Sequence, residues 1–130
     1  VIGGGIWCRS LIEKIRKIGF AGTLDIVHPT AREIEGVVPC RQVTDFSNPP
    51  DATFIGVNRQ ATISAVGALA EIGAGGAVCF ASGFRETESS VDHETDLQTQ
   101  LVVSAGKMPI LGPNCYGFIN FFFSFLFYIY

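Results

Sequence analysis

Short apolar segments alternate with helical stretches along most of this chain, and this alternation limits the folds that it can adopt. Apolar and β-branched runs predict strands, whereas apolar side chains at intervals of three and four residues predict helices. Strands separated by helices form a parallel sheet with right-handed connections. The predicted class is therefore α/β, with a parallel sheet and helices on both faces. The predicted strands are residues 1–2, 24–27, 52–57, 77–80 and 108–111, and the predicted helical stretches are 10–19, 30–34, 60–72 and 92–105.

The composition agrees with one such domain. The chain has 130 residues, of which 48% are hydrophobic and 16% are charged, below the usual quarter. Strands of a sheet that is covered on both faces are apolar throughout, which lowers the charged fraction. The net charge is −3 and no basic cluster is present in the sequence, so free DNA or RNA is excluded as the main partner.

The cysteine positions exclude a zinc knuckle and a CxxC redox motif. Cys8, Cys40, Cys79 and Cys115 lie more than 30 residues apart, whereas such sites need closely spaced pairs. The sequence shows no signal peptide, so we predict reduced thiols and a cytoplasmic location. No metal site is predicted.

The two ends of the chain differ from its middle. The first residues already belong to a strand and no Met precedes them, so we predict a domain of residues 1–120 that is clipped at its N-terminus. Residues 121–130 hold seven of the fifteen aromatic side chains. This segment is shorter than the ~20 residues of a membrane helix, so no membrane span is predicted. We interpret it as a truncation or frame error in the source sequence, with an interface strand or the start of a longer anchor as alternatives.

The first predicted strand runs into Gly3-Gly4-Gly5. Ligands of parallel sheets bind beyond the carboxyl ends of the strands, at the switch point of the strand order. Glycines allow close backbone approach, and a helix start offers free N–H groups and the positive end of its dipole. The turn is therefore a candidate phosphate cradle. Cys8 stands where a dinucleotide fingerprint has its third glycine, and a plain strand-to-helix turn is the alternative interpretation.

The end of the second strand distinguishes between candidate nucleotides. A domain that binds NAD has Asp or Glu there to hold the ribose hydroxyls, but this chain has His28-Pro29-Thr30. A phosphate on the ribose would repel a carboxylate at that place, whereas His28 or Arg32 could face it. A turn histidine and a solvated surface arginine are the alternatives.

Five strand-end segments together resemble the CoA-binding domain of the NDP-forming acyl-CoA synthetases, the superfamily of the succinyl-CoA synthetase α subunit. The resemblance covers residues 1 to about 120, and its most specific parts are the Gly-Pro-Asn-Cys turn and the Ser-Gly-Phe-Arg-Glu run. The segments are Ile2-Gly3-Gly4, Val27-His28-Pro29, Gly56-Val57-Asn58, Ala81-Ser82-Gly83-Phe84 and Leu111-Gly112-Pro113-Asn114-Cys115-Tyr116-Gly117.

The resemblance implies a Rossmann-like domain that binds coenzyme A across its strand ends. The glycine turn would cradle the CoA phosphates, and the His28-Pro29 segment would lie by the adenosine 3′-phosphate. The later strand ends would line the path of the nucleotide and the pantetheine arm. The implied cofactor-binding residues are Gly3, Gly4, Gly5, Ile6, Trp7, Cys8, His28, Pro29, Val57, Asn58, Ser82, Gly83, Phe84, Pro113 and Asn114, and the charge argument adds Arg32.

The chain departs from the family pattern in the two turns that would touch the nucleotide. Gly4-Gly5 replaces a common Ala-Ser, and Thr30 replaces a common Lys. Trp7 occupies the phosphate turn, where it would either stack on adenine or cap the core.

The resemblance also implies which chemistry this chain lacks. In the family, an acyl phosphate and a phosphorylated histidine are handled with a flavodoxin-like domain and an ATP-grasp domain or subunit, which hold ATP or ADP with Mg²⁺. That histidine lies beyond the Gly-Pro-Asn-Cys turn; His28 and His93 stand in other contexts, and Cys115 has no paired base. We predict a CoA-binding piece of an acid–thiol ligase without catalytic residues of its own. A regulatory CoA-binding module, as in fusions with acetyltransferases, and an NAD(P)-binding oxidoreductase fragment are the alternatives.

Overall fold

The computed structural model of the chain describes residues 1–82 and 97–113, together with the backbone of two later strands. Its helices are α1 (Ile6–Lys17), α2 (Arg59–Glu71) and α3 (Leu97–Ala105), and a short 3-10 turn covers Val43–Asp45. Its strands are β1 (Thr53–Ile55), β2 (Ala77–Cys79), β3 (Ile110–Leu111), β4 (Gly117–Asn120) and β5 (Phe125–Tyr128). The loop predicted at 85–92 and the first residues of the helix predicted at 92–105 lie outside the described residues.

A parallel sheet forms the centre of the domain. β1 pairs with β2 and β2 pairs with β3, all in parallel. Single-residue parallel bridges continue the sheet beyond β1, from Ile55 to Ile2, from Ile2 to Val27 and from Val27 to Cys40. The segments predicted as the first two strands therefore join the sheet through one bridging residue each.

The order of these segments across the sheet creates a switch point. From one edge to the other they run Cys40, Val27, Ile2, β1, β2 and β3. In chain order this is 3-2-1-4-5-6, the order of doubly wound dinucleotide-binding domains. The direction of winding reverses between Ile2 and β1. The crevice for a ligand is therefore expected where Gly3 and Gly56 follow those two segments.

Helices cover both faces of the sheet, as the sequence predicts. Successive side chains of a strand point to opposite faces, and β1 shows this directly. Phe54 packs with Cys8 and Leu11 of α1, whereas Ile55 belongs to the large core that α2 and α3 cover. The side chains of that core include Val66 and Leu69 from α2 and Leu101 and Ala105 from α3.

Helix α1 is amphipathic, but it begins and ends earlier than its periodicity predicts. Leu11 and Ile12 are buried, and the basic side chains of its last turn suit the negative end of the helix dipole. The first turn, from Ile6, carries exposed apolar side chains that the periodicity does not reveal. Ile18, which its spacing from Leu11 and Ile15 predicts on the buried face, follows the last helical residue and is 66% exposed.

Two further expectations are wrong. Residues 30–34 form no helical turn, because Ile34 pairs with Val37 in an antiparallel bridge instead. On α3, the apolar pattern predicts Leu101 and Val102 to pack inward. Leu101 is buried, but Val102 is 54% exposed because the short helix turns only one narrow face to the core.

The last described strands form a separate ladder. β4 pairs with β5 antiparallel, with Gly117 opposite Tyr128 and Asn120 opposite Phe125. Part of the aromatic segment 121–130 is thus a strand, which leaves the interpretation of its origin untested. Over the described parts of the chain, no helix is both long enough and apolar enough to cross a membrane.

Candidate nucleotide-binding site

At the switch point, two glycines allow the backbones of neighbouring strand ends to come into direct contact. The N–H of Gly3 donates to the carbonyl of Val27 (3.0 Å), and the N–H of Gly56 donates to the carbonyl of Ile2 (2.9 Å). Gly3 has a φ of +117°, which side chains rarely allow, and a Cβ placed there would lie 2.8 Å from the carbonyl oxygen of Gly56. The two strand ends can therefore approach only as glycines.

The start of α1 beside this turn is open and has no side-chain cap. Gly5 is the N-cap residue, the cap has no side-chain hydrogen bond, and the first turn holds no acidic residue. A Cβ on Gly5 would meet nothing within 4 Å. N–H groups at a helix start have no acceptor within the helix and lie at its positive end. The geometry of Gly3, Gly4, Gly5 and Ile6 therefore suits an anion such as a phosphate.

Cys8 fills the space that the two glycines leave. Its side chain is fully buried, and its sulfur lies 3.7 Å from the carbonyl oxygen of Ile2 and 3.8 Å from that of Gly56. A Cβ on Gly56 would lie 2.6 Å from this sulfur. Burial raises the pKa of the Cys8 thiol, although the N–H groups of Gly5 and Cys8 act against it. Cys8 thus shapes the turn from the inside, in the place of a third glycine, and is held as a neutral thiol.

His28 lies against the glycine turn. A Cβ on Gly4 would come within 2.8 Å of its Cδ2 and 3.2 Å of its Nε2. Its Nδ1 accepts from the N–H groups of Thr30 (3.3 Å) and Ala31 (3.0 Å). These bonds assign the ring proton to Nε2, which leaves an N–H donor on the side of Gly4. The interpretation of a turn histidine agrees with these bonds, and the prediction that His28 faces a phosphate on the ribose stays a prediction.

The loop after His28 is held by an arginine that sequence reasoning missed. Arg41 donates from Nη1 to the carbonyls of His28 (3.3 Å) and Ala31 (2.7 Å). Pro29 and Arg32 on this loop are exposed, and within the described part of the chain the Arg32 guanidinium has no hydrogen-bond partner. Nothing local in the sequence marks this role of Arg41, since the partners of its guanidinium lie 10 and 13 residues away.

Trp7 packs over the end of β2 rather than standing free. Its ring centroid lies 5.1 Å from that of Phe80, which in turn lies 6.0 Å from that of Phe54. The indole is nevertheless 39% exposed, and the neighbouring Ile6 is 76% exposed. Trp7 therefore caps the core on one side and offers an apolar surface beside the glycine turn on the other.

The remaining predicted residues have mixed surroundings. Asn58 is the N-cap of α2, where its Oδ1 accepts from the N–H of Ala61 (2.9 Å). Val57 is partly buried beside it, Ser82 is exposed beyond β2, and Pro113 is partly buried after Gly112. Gly83, Phe84 and Asn114 lie outside the described residues.

A second arginine that sequence reasoning missed touches the glycine turn itself. Arg9 donates from Nε to the carbonyl of Gly4 (3.1 Å) and from Nη1 to the carboxylate of Glu35 (2.9 Å). Arg9 follows Gly4 by only five residues, but nothing in the sequence indicates its second partner, Glu35, which is 26 residues away. The Arg9 guanidinium is thus bonded directly to the glycine turn.

Comparisons with known proteins agree with this geometry. The family model described as CoA binding domain matches residues 8–120. A trans-feruloyl-CoA synthase, FCS1, from an unknown prokaryotic organism is 26% identical over 112 residues, which are 86% of this chain and 16% of that protein.

Solved structures give the same result. The apo form of a dinucleotide-forming acetyl-coenzyme A synthetase 1 from Ca. Korarchaeum cryptofilum superposes with a TM-score of 0.77 at 26% identity, covering 90% of this chain and 26% of that one. The protein PH0766 from Pyrococcus horikoshii OT3 superposes with a TM-score of 0.71 at 25% identity, covering 92% and 28%. The chain therefore spans between a sixth and about a quarter of the length of these relatives.

Proposed function

Since this chain belongs to the CoA-binding domain family, we propose that it binds coenzyme A at the carboxyl edge of its parallel sheet and serves an NDP-forming acyl-CoA synthetase. The observation that carries the proposal is the open start of α1 at the switch point. There the first turn of α1, which has neither a side-chain cap nor an acidic residue, follows Gly5, where a Cβ would meet nothing within 4 Å. The two phosphates of the CoA pyrophosphate are the groups that such a turn would hold.

The loop after His28 supports CoA rather than NAD. The Nε2–H of His28 faces the glycine turn, and the chain carries Arg32 on the same loop with an exposed guanidinium. A phosphate on the adenosine ribose gains from both groups, whereas the two hydroxyls of NAD need an acceptor there. The departure at Thr30, where relatives often have Lys, leaves Arg32 as the cation of this loop.

Trp7, Ile6 and Phe80 supply the apolar part of the proposed site. The exposed side of the indole lies next to the phosphate turn while its other side is fixed on Phe80. Adenine or the pantetheine arm would cover this surface, because both need apolar contact close to the phosphates. The strand ends at Val57, Asn58, Ser82, Gly83, Phe84, Pro113 and Asn114 would extend the path.

In the whole protein, this domain would present the CoA thiol for thioester formation through an acyl phosphate. We assign that chemistry to partner domains or subunits of flavodoxin-like and ATP-grasp type, which would hold ATP or ADP with Mg²⁺, and we place the protein in the cytoplasm. The short share of its relatives that the chain spans supports this division of labour. No catalytic residue is assigned to this chain.

Calorimetric titration of the chain with CoA, dephospho-CoA and NAD tests the proposal. We expect CoA to bind with a Kd of about 1–100 μM, dephospho-CoA to bind more weakly, and NAD to bind least. Arg32→Gln should reduce the gap in affinity between CoA and dephospho-CoA, because the 3′-phosphate of CoA loses its positively charged partner. Lys107→Gln, which removes a positive charge beyond the end of α3, is the matched control and should leave the gap unchanged.

The other interpretations give different results. A preference for NAD or NADPH over CoA would contradict the proposal and favour an oxidoreductase fragment. CoA binding together with an acetyltransferase domain in the full gene product would favour the regulatory module instead of the ligase.

A further inference from the structure

Arg9 connects three parts of the proposed site through one guanidinium. From the first half of α1 it donates to the carbonyl of Gly4 in the glycine turn and to the carboxylate of Glu35 in a distant turn. The planar guanidinium fixes both bonds in one geometry, which a lysine could not do. The glycine turn, the helix and the Glu35 turn are thereby joined.

Glu35 occupies an unfavourable backbone position that serves this contact. Its φ is +49° and that of Gly36 is +74°, and Ile34 and Val37 exchange both backbone hydrogen bonds around them (2.9 and 3.0 Å). A two-residue turn with two left-handed residues strongly prefers Asn-Gly. Glutamate there is strained, and such strain persists where the surroundings fix it, often at functional sites. Here Arg16 also holds the carbonyl of Glu35 through Nη2.

The contact determines how one peptide of the phosphate turn is oriented. A peptide unit is planar and its carbonyl and N–H point in opposite directions. In the peptide between Gly4 and Gly5, the Nε–H of Arg9 donates to the carbonyl oxygen (3.1 Å), so the N–H of Gly5 points away from Arg9. Glycines on both sides of this peptide give it more conformational freedom than other residues would, and the bond from Arg9 reduces that freedom.

A purely stabilising role explains the pair poorly. The two side chains are 48% and 38% exposed, and ion pairs this exposed contribute little to folding stability. We therefore assign to the Arg9–Glu35 pair an effect on the conformation of the glycine turn that Arg9 contacts.

We propose that Arg9, held in place by Glu35, is a positioning residue that orients the Gly4–Gly5 peptide so that the start of α1 can bind the pyrophosphate group of the ligand. This inference rests on the proposed function. It differs from direct contact of Arg9 with phosphate in a testable way. If Arg9 were a direct ligand, removing the nearby carboxylate would strengthen anion binding. A positioning role requires that removing it weakens binding.

The test compares CoA and dephospho-CoA binding to the wild-type chain, Arg9→Gln, Glu35→Gln and the double variant by calorimetry. We expect each single variant to lose about tenfold in affinity, equally for both ligands, because the shared pyrophosphate is affected. The double variant should bind the ligands no more weakly than the weaker-binding single variant, since each substitution already breaks the same Arg9–Glu35 contact. Glu13→Gln, which removes an exposed carboxylate from α1, is the control and should bind like the wild type.

Glu35→Asn separates positioning from folding. Asn-Gly suits the left-handed turn, so the melting temperature should rise, but the short side chain no longer reaches Arg9 and affinity should still fall. Unchanged or tighter binding by Glu35→Gln or Glu35→Asn would overturn the inference while leaving the proposed function intact. If the wild type binds inorganic pyrophosphate but not CoA, the proposed function fails and the same variants test the inference with pyrophosphate. Binding of neither compound overturns both.

Discussion

Gly3 and Gly56 face each other across the switch point, so closely that a Cβ on Gly3 would lie 2.8 Å from the carbonyl oxygen of Gly56. This contact joins the end of the first sheet segment to the end of β1, on the two sides of the point where the winding reverses. The base of the proposed ligand crevice is therefore formed by backbone atoms. The side chains that modify it, from Cys8 below and His28 beside it, come from neighbouring elements.

Alanine at Gly3 should destabilise the fold, whereas alanine at Gly5 should not. At Gly3, both the φ of +117° and the contact with Gly56 oppose a side chain, and we expect a loss of about 3 kcal/mol in the free energy of unfolding. At Gly5, φ is −70° and the space is open, so a loss below about 1 kcal/mol is expected. Urea unfolding measures both, and equal losses would contradict the contact.

Aspartate and serine at Gly5 should separate helix capping from anion binding. Both side chains can cap α1, which now has no side-chain cap, and each should stabilise the fold by up to about 1 kcal/mol. Only aspartate adds a negative charge where the phosphates are expected. Gly5→Asp should therefore lower CoA affinity at least about tenfold more than Gly5→Ser. Equal affinities in the titration would place the phosphates elsewhere.

Helix α2 shows what the sequence predicts well. Its predicted range of 60–72 differs by one residue at each end from Arg59–Glu71. Both ends are marked locally, by the capping side chain of Asn58 and by the left-handed Gly73 that follows. The α/β class and the glycine turn follow from equally local patterns, and the family match supports the same fold.

The segment from His28 to Val37 shows what the sequence does not predict. A helical turn is predicted at residues 30–34, but the N–H groups of Thr30 and Ala31 bind the His28 ring and Ile34 pairs with Val37. Its position depends on Arg9, Arg16 and Arg41, whose partners are between 10 and 26 residues away. Such contacts leave no periodic signal, so the part of the site that they position is visible only in three dimensions.

Ionisation of the Cys8 thiol should lower the free energy of unfolding at alkaline pH. Burial raises the pKa of its thiol above the ordinary value of 9.0, so the folded state keeps the proton that the unfolded state loses. The contribution of the neutral Cys8 thiol to the free energy of unfolding is full below about pH 9, and it declines as the pH rises towards the folded-state pKa. Cys8→Ala should cost about 1 kcal/mol at pH 7, and this difference from the wild type should shrink in urea unfolding at pH 10.

The matched control for this pH dependence is Cys40→Ala, which removes a thiol from a half-buried site. A Cys8→Ala difference that stays constant from pH 7 to pH 10 would show that the buried thiol is not linked to folding.

Two substitutions at Asn58 should distinguish a role in capping α2 from a role in ligand binding. Asn58→Ala removes the acceptor for the Ala61 N–H and should cost about 1 kcal/mol in unfolding free energy. Asn58→Asp keeps that acceptor and adds a negative charge at the positive end of α2, so stability should be retained. If Asn58 lies on the path of the nucleotide, Asn58→Asp should still weaken CoA binding. Unchanged affinity in the titration would mean that Asn58 is only a cap.

Trp7 should report ligand binding directly, because it is the only tryptophan in the chain. Its ring is fixed on Phe80 and remains 39% exposed, so adenine or pantetheine that covers it should shift its emission. The titration midpoint should match the calorimetric Kd. Inorganic pyrophosphate, which lacks an apolar part, should compete with CoA without shifting the emission. Trp7→Phe should lower CoA affinity by about threefold to tenfold. CoA binding without a change in emission would place the apolar part of the ligand away from Trp7.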